Sequence, residues 1–441
     1  MKHKIQIFIC LCLALAAILS ACGANLKDWS EGTAGDYSFN RSESESAPVP
    51  TTSPVTHHET TEAEESSEEK TATTAEAERQ QPVVTIPVTD GKYYFSQLSD
   101  TEQEVYLQIY SGCEHLTTHI SLTPCTKDEM DRALTAFEYD WPEFYWTTSE
   151  PSSYQTVNDA VVSIEFTVPE NAEEIMQQTK AKAEEIINAG KAAISPDDTY
   201  LMLKYFFDTI VDCTDYIPSE TDHSDQLMSS VLLEGRGVCA AYAKTFLYLC
   251  QLSDIECALV TGSSKGDSHA WNAVKINDQW YWVDVTWGDP LSNVGSPEPI
   301  TNYNYLAAAD DFIYLEHSLE MTPEDQAAGR YDMNAHFTIP TCTDDSLEFL
   351  KLEGAYFETY DEDVLKNYIA DAAKDDNLYR LPVRFANAAD YERFKAEFLS
   401  DTDAKIWDAL IEGNPAFTAG YGCSTFAYDE AFILYMTITM R

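Results

Sequence analysis

Basic residues are scarce in this chain of 441 residues. Lysine and arginine together number 27, against 75 aspartates and glutamates, which gives a formal net charge of −48 at pH 7. A surface so poor in positive charge cannot pair with a run of phosphates, so nucleic acid is excluded as a partner. Substrates that carry lysine, arginine or free amines would be attracted, although solubility alone explains such acidity equally well.

Other familiar signatures are also missing. The sequence shows no internal repeat, no glycine-rich loop that would cradle a phosphate and no calcium-binding loop. Beyond the N-terminus, no apolar run is long enough to span a membrane. These absences argue against a repeat protein, a P-loop nucleotide enzyme, a calcium sensor of the EF-hand type and a multi-span membrane protein.

The N-terminus has the pattern of an export signal. A basic start at residues 1–4 precedes an apolar run at residues 5–19, and small residues follow. Leu19-Ser20-Ala21-Cys22 resembles a bacterial lipobox. The pattern predicts a lipoprotein signal peptide over residues 1–21 and a lipid on Cys22, and therefore an anchor on the extracytoplasmic face of a bacterial cell membrane. The alternative is an ordinary signal peptide with an incidental cysteine.

Residues 22–91 differ from the rest of the chain in composition. Serine, threonine, glutamate, alanine and proline dominate, and aromatic residues are nearly absent. Such a segment cannot bury enough apolar surface to offset its conformational entropy, so we predict a disordered tether behind the lipidated Cys22.

Two further regions read as folded but carry no recognisable chemistry. Residues 92–190 are predicted to form an α+β region, with helices after the capping-box patterns Ser99/Glu102 and Thr126/Glu129. Residues 341–441 are predicted to form a small, separate α/β domain with a final strand within residues 425–440. A helix from Pro196 to about Tyr216 is expected between these regions.

Four residues raise the question of a metal site. Cys113, His115, His119 and Cys125 are all potential ligands. Their spacing matches no standard zinc arrangement, so the sequence predicts no metal here.

A candidate nucleophile opens an apolar helix. Cys239 follows the glycine-containing segment 235–237 and shares helical spacing with Tyr242, Phe246 and Leu249. We therefore predict that Cys239 lies in the first turn of a helix, where the positive end of the helix dipole favours a thiolate. A free backbone N–H in that turn can stabilise a developing oxyanion. A buried core cysteine is the alternative for any single residue of this type.

A base and a carboxylate follow on a predicted hairpin. Residues 280–287 are rich in aromatic and β-branched side chains, which favours a strand over that whole range. If Asn277-Asp278 forms a two-residue turn, His269 and Asp284 are diagonal neighbours on one face, with Cα atoms roughly 7–8 Å apart. A hydrogen bond between imidazole and carboxylate then becomes feasible.

Three short motifs together resemble the transglutaminase-like superfamily, which shares a papain-like thiol protease core. They are Gly237-Val238-Cys239 with Tyr242-Ala243, His269-Ala270-Trp271-Asn272, and Trp280-Tyr281 leading to Asp284-Val285-Thr286-Trp287 and Asp289-Pro290. The resemblance covers residues 196–318, and the flanking regions look like those of bacterial surface members. It implies an α+β catalytic domain over residues 191–340, with a cysteine-bearing helix on an antiparallel sheet that bears the histidine and aspartate.

By this resemblance, Cys239 is the nucleophile, His269 the general base and acid, and Asp284 the orienting carboxylate. The implied reaction forms a thioester with an amide or peptide carbonyl, and it needs no cofactor. Whether water or an amine then resolves the thioester stays open. Members of the superfamily commonly have glycine two residues after the cysteine, where this chain has Ala241, so modest crowding is expected.

The surroundings of this set are less well specified. Gln226 is a candidate second oxyanion donor, while Trp271 and Trp287 are candidates for cleft walls, although aromatic residues at strand spacing often belong to the core. The expected partner is a protein or peptide substrate, which includes cell-wall peptide as one option. The alternative function is a catalytically silent surface module that keeps the fold and uses its cleft for binding.

Overall fold

The computed structural model describes residues 89, 91–149, 152–218, 224–289, 301–375, 378–400, 405–418 and 421–440, together with a strand at 58–59. The predicted signal peptide, Cys22 and most of the predicted tether lie outside these residues. The described residues divide into two compact units, of which the first comprises those up to 305 together with 317–341, and the second 306–316 together with those from 342 onward. No helix in the described ranges has the length and apolar character needed to cross a membrane.

A four-stranded sheet and its helices form the N-terminal part of the first unit. Its elements are β1 (His58–Glu59), α1 (Asp100–Glu114), β2 (His119–Cys125), α2 (Lys127–Asp140), α3 (Trp146–Ser149), β3 (Ser152–Val157), β4 (Ala160–Phe166) and α4 (Ala172–Ala193). The strands lie in the order β1-β3-β4-β2. Both predicted capping boxes are present, at Ser99/Glu102 before α1 and at Thr126/Glu129 before α2. The core of this part is rich in aromatic side chains, among them Tyr94, Tyr106, Phe137 and Trp146.

The rest of the first unit carries the residues of the predicted catalytic set. It continues with α5 (Thr199–Cys213), β5 (Asp215–Tyr216), β6 (Arg236–Gly237), α6 (Cys239–Gln251), β7 (Cys257–Ser264), β8 (Asp267–Ile276), β9 (Gln279–Val283) and α7 (Val285–Gly288). After β10 (Leu306–Ala308) and α8 (Asp310–Ile313) of the second unit, the first unit resumes with β11 (His317–Ser318), α9 (Pro323–Ala327) and α10 (Met333–His336). Strands β9, β8, β7 and β11 are successive antiparallel neighbours in one sheet. Helix α6 packs against β7 and β8.

The register of the predicted hairpin is confirmed, but the length of its second strand was wrong. Asn272 pairs with Val283 and Ile276 pairs with Gln279, as a two-residue Asn277-Asp278 turn requires. Both turn residues have positive φ, 51° and 64°, which is the backbone conformation of a type I′ turn. Strand β9 nevertheless ends at Val283, because the next residue begins a short helix instead of extending the strand.

Helix α5 begins later than the proline signal indicated. It starts at Thr199, and the Asp198 carboxylate caps it by accepting a hydrogen bond from the Leu201 N–H. Pro196 therefore lies before the helix and not at its first position, because Asp198 is the N-cap residue and the helix begins after it. The helix ends at Cys213, where the chain changes to the extended backbone of β5.

The second unit is a small α/β structure. Besides β10 and α8, it contains α11 (Phe349–Leu352), β12 (Tyr356–Phe357), α12 (Glu362–Ala372), β13 (Arg380–Phe385), α13 (Ala388–Phe398), α14 (Lys405–Gly413), β14 (Tyr421–Tyr428) and β15 (Ile433–Met440). Its sheet has the order β12-β13-β15-β14. The final strand predicted within residues 425–440 is present as β15, and it pairs in antiparallel fashion with β14 before it. Residues 306–316, which sequence assigned to the catalytic region, also belong to this unit.

Candidate active site

The first residue of helix α6 is Cys239. Val238 before it is extended, and its carbonyl accepts hydrogen bonds from the N–H groups of Ala241 and Tyr242 at 2.9 and 3.1 Å. The N–H groups of Cys239 and Ala240 precede these bonds, have no acceptor within the helix and point toward its N-terminal end. The Cys239 side chain thus lies at the positive end of the helix dipole, and only 4% of the residue is exposed.

A buried amide ties this helix to the strand that carries the imidazole. Asn272 of β8 donates from Nδ2 to the carbonyl of Ala243 in α6 at 3.1 Å and to the carbonyl of Ala258 in β7 at 3.4 Å. Asn272 is fully buried. Because a buried amide keeps hydrogen bonds only in one orientation, it fixes the height of α6 above the sheet and thereby sets Cys239 against His269.

His269 and Asp284 form the central hydrogen bond of the site. Nε2 of His269 lies 2.6 Å from Oδ2 of Asp284, and the aspartate side chain is completely buried. The other carboxylate oxygen, Oδ1, accepts a hydrogen bond from the Trp287 N–H at 3.0 Å, so Asp284 caps helix α7. Because β9 ends at Val283, Asp284 can cap helix α7, and the hydrogen bond at Oδ1 helps to orient the carboxylate whose Oδ2 faces His269.

The electrostatics of this pair favour a charged imidazole. Burial lowers the pKa of His269, but the charge and hydrogen bond of Asp284, together with the nearby Cys239 thiol, outweigh it and raise that pKa to about 10. Burial also acts to raise the pKa of Asp284, but its interactions with His269 and His317 hold it well below the usual range. Because Nε2 of His269 is engaged by the carboxylate, Nδ1 is the ring nitrogen left for the thiol. A protonated imidazole beside a cysteine favours the reactive thiolate.

A second histidine, absent from the sequence-based set, contacts the same carboxylate. Nε2 of His317 in β11 lies 2.8 Å from Oδ2 of Asp284, and its side chain is fully buried. No periodicity or motif in the sequence points to this residue, because it occupies a two-residue strand that only pairing with β7 brings to the site.

The three residues predicted to surround the triad occupy different positions. Trp271 is buried, and its ring stacks on His269 with centroids 5.8 Å apart and planes 19° apart. The half-buried Trp287 meets the His269 ring at 86° with a centroid distance of 6.4 Å, and it lies beneath the Lys265 ammonium. Trp271 therefore supports the imidazole from within the core, whereas Trp287 borders it.

Gln226, the candidate oxyanion donor, is buried in a short 3₁₀ turn over Ser224–Gln226. The carbonyl of the preceding Asp225 accepts a 2.9 Å hydrogen bond from the N–H of Val238. This bond holds the turn beside the residue that precedes Cys239. Gln226 consequently lies at the N-terminal end of α6, the end to which the free helix N–H groups point.

Two tyrosines near Cys239 were not predicted as site residues. Tyr216 pairs in register with Gly237, and burial, followed by the charges of Cys239, Asp284 and Asp225, raises the pKa of its hydroxyl. The hydroxyl of Tyr242 lies 2.7 Å from the Asp289 carboxylate, and mainly burial raises the pKa of that carboxyl to about 6. Tyr216 reaches the site through strand pairing between β5 and β6, for which the sequence offers no signal.

A metal ion could find three ligands here. Among the described residues, His269, Asp284 and His317 offer ligand atoms that all lie within 4.8 Å of one another. Three protein ligands are the usual number in a catalytic zinc site. The same atoms make the 2.6 and 2.8 Å hydrogen bonds, however, and an ion could bind only by breaking both. Cys113 and Cys125, from the set considered in the sequence, are buried free thiols.

Residues 177–285 match the model of the transglutaminase-like superfamily. The matched segment contains Cys239, His269 and Asp284, in the order and with the geometry described above. Over these residues the chain is similar to the transglutaminase-like superfamily. The transglutaminase-like core and the α+β class predicted from the sequence are thereby confirmed. His317 lies outside the matched segment.

The chain is also similar to part of two curated proteins. Kyphoscoliosis peptidase is 30% identical over 110 residues in Homo sapiens and 29% identical over 110 residues in Mus musculus. Each match covers 22% of this chain and 16% of the relative, so the chain spans a small part of these relatives' length. A solved structure of a TGase is similar over 31% of this chain and 44% of its own, with 15% identity and a TM-score of 0.22.

Proposed function

We propose that this protein is a thiol enzyme that forms a thioester with an amide or peptide carbonyl. The observation that carries this proposal is the 2.6 Å contact between His269 Nε2 and Asp284 Oδ2, with the other imidazole nitrogen left for a cysteine at the start of a helix. Nucleophile, base and orienting acid are the three groups that covalent acyl transfer requires.

The proposed reaction uses each group in turn. His269 takes the proton of the Cys239 thiol, and the thiolate attacks the carbonyl carbon of the substrate. Backbone N–H groups at the start of α6, with Gln226 as a second donor, stabilise the resulting oxyanion. His269 then gives its proton to the leaving amine, which leaves a thioester on Cys239. Throughout, Asp284 stabilises the charged imidazole and fixes its orientation.

Hydrolysis is the first fate of the thioester to assay. If water attacks the thioester, the protein is a peptidase or amidase, whereas attack by a primary amine would make it a crosslinking enzyme. The curated relatives that match part of this chain carry the name peptidase, which favours hydrolysis. We propose a protein or peptide substrate, with cell-wall peptide as one option, because the N-terminal sequence favours a lipid anchor at Cys22 and an extracytoplasmic location.

The decisive experiment measures the reactivity of Cys239 in the full chain. The protein is treated with iodoacetamide across about pH 5 to 9, and labelling of each cysteine is followed by mass spectrometry in the parent and in His269→Ala. Half-buried Cys423 serves as an internal reference, because burial raises its pKa to about 11 and no imidazole activates it among the described residues.

We expect Cys239 to label well below pH 8 and faster than Cys423, and we expect His269→Ala to remove that advantage. Labelling of Cys239 at the rate of Cys423 in the parent protein would contradict the enzyme proposal. A surface module that only binds through its cleft would then be the better account.

A further inference from the structure

The carboxylate of Asp284 accepts hydrogen bonds from two imidazoles at one oxygen. His269 and His317 approach Oδ2 at 2.6 and 2.8 Å, and their ring centroids are 5.3 Å apart. Because an ionised carboxylate only accepts hydrogen bonds, Nε2 must carry the hydrogen in both rings. Together with the Trp287 N–H on Oδ1, three donors hold this carboxylate.

The other ring nitrogen of His317, Nδ1, makes no stabilising hydrogen bond among the described residues. This atom is buried. A buried, unpaired polar atom destabilises the fold, so an apolar side chain of similar size would suit this position better if packing were its only purpose. The bond from Nε2 to Asp284 is the contact that accounts for a histidine here.

The surroundings of His317 hold its ring in one orientation. Its centroid lies 5.2 Å from the ring of Trp271, 5.6 Å from that of Trp287 and 6.0 Å from that of Tyr305. Its backbone pairs with Ser264 of β7. Gly262 allows this pairing, because a Cβ at that position would collide with the carbonyl of Ser318. The fold thus brings His317 to Asp284 on a strand and encloses its ring with aromatic residues.

We propose that His317 is a positioning residue for the triad, which acts by fixing the Asp284 carboxylate so that Oδ2 faces His269. Without His317, only the Trp287 N–H on Oδ1 and His269 itself hold the carboxylate against rotation about its Cβ–Cγ bond, so the hydrogen bond to His269 has a less fixed geometry. This inference rests on the proposed thiol chemistry, in which His269 must stay aligned with Cys239 while it takes and returns a proton.

Two substitutions of similar size separate the hydrogen bond from packing. His317→Met fills the cavity without a donor, whereas His317→Gln places an amide N–H near the former position of Nε2. In the full chain, we expect His317→Met to slow iodoacetamide labelling of Cys239 at neutral pH by about tenfold or more. His317→Gln should restore most of the parent rate, while the Tm of both variants stays close to that of the parent.

A second readout does not depend on reactivity. In protein with ¹⁵N-labelled histidine, the short bond from His269 to Asp284 should give a low-field proton resonance. We expect that resonance to be lost or shifted upfield in His317→Met and to be retained in His317→Gln. The same spectra report whether each variant is folded.

The two proposals can fail separately. If Cys239 of the parent protein is unreactive, the proposed enzyme function fails, but the proton spectra still show whether His317 orders the pair. If the parent labels rapidly and His317→Met matches it in both rate and low-field resonance, the positioning role is wrong. Equal losses in the Met and Gln variants with the fold intact would also contradict it, because a donor at that position would then make no difference.

Discussion

A Cβ atom added at Gly237 would lie 2.8 Å from the Cβ of Ala241. The absence of a side chain at Gly237 therefore leaves room for the methyl group of Ala241 on the other side of Cys239. Members of the superfamily commonly have glycine at the position of Ala241, and modest crowding was expected from this departure. The structure accommodates the methyl group at the first turn of α6, where Ala241 is buried.

We therefore predict that Gly237→Ala lowers the free energy of unfolding by about 1–3 kcal/mol, as overpacked core positions do. The second change Ala241→Gly should recover part of that loss, because it removes the atom with which the new Cβ collides. Chemical denaturation of both variants, with Ala241→Gly alone as the control, measures this coupling. Strictly additive effects would show that the two residues do not compete for space.

Replacement of the orienting carboxylate should impair the thiol without unfolding the protein. Asp284→Asn removes the charge that keeps His269 protonated, so labelling of Cys239 at neutral pH should slow on the order of 100-fold. The matched control is Asp278→Asn at the exposed hairpin turn, where the side chain is 96% exposed and Asn tolerates the positive φ. Comparable rates in both variants would remove Asp284 from the proposed triad.

Stability should depend on pH through His269. Its pKa is about 10 in the folded chain and about 6.5 when unfolded, so the folded state binds the proton more tightly. The resulting stabilisation is complete below about pH 6.5 and is lost as pH rises toward about 10. Denaturant titrations of the parent and His269→Gln should converge across this window. A constant difference between them from pH 6 to 10 would show that His269 gains no proton affinity on folding.

Chelation should leave the proposed chemistry intact. Because the proposed chemistry activates Cys239 through an imidazole and not through an ion, EDTA treatment should not change the labelling rate of Cys239 in the full chain. Metal content is measured on the same samples by elemental analysis. A loss of reactivity that zinc restores would indicate that His269, Asp284 and His317 hold an ion. The active form would then be the metal-bound site and not the hydrogen-bonded arrangement.

The predicted lipid anchor at Cys22, which lies outside the described residues, needs a separate test. Cys22→Ala should release the protein from the membrane fraction into the medium or periplasm, because the acyl chains would no longer be attached. Fractionation of cells that express the parent or the variant, with a blot for the chain, measures this. Retention of the variant in the membrane fraction would mean that another feature anchors the protein.

Local features of the site were predictable because local forces decide them. The Asn277-Asp278 turn determines the register of β8 and β9, and the apolar spacing after Cys239 determines where α6 begins. The end of β9 was misjudged, because the aromatic and β-branched run up to Trp287 favours a strand. The carboxylate of Asp284 overrides that tendency by capping α7.

The sequence by itself indicated the superfamily and the type of chemistry proposed for it, since three motifs in their chain order suffice for that. Only the tertiary structure decided which further groups meet the triad. His317 reaches Asp284 because β11 pairs with β7, and Tyr216 reaches Cys239 because β5 pairs with β6. Each of these strands has two residues, too few for a sequence pattern to mark, and their pairing depends on contacts between segments that are distant in the chain.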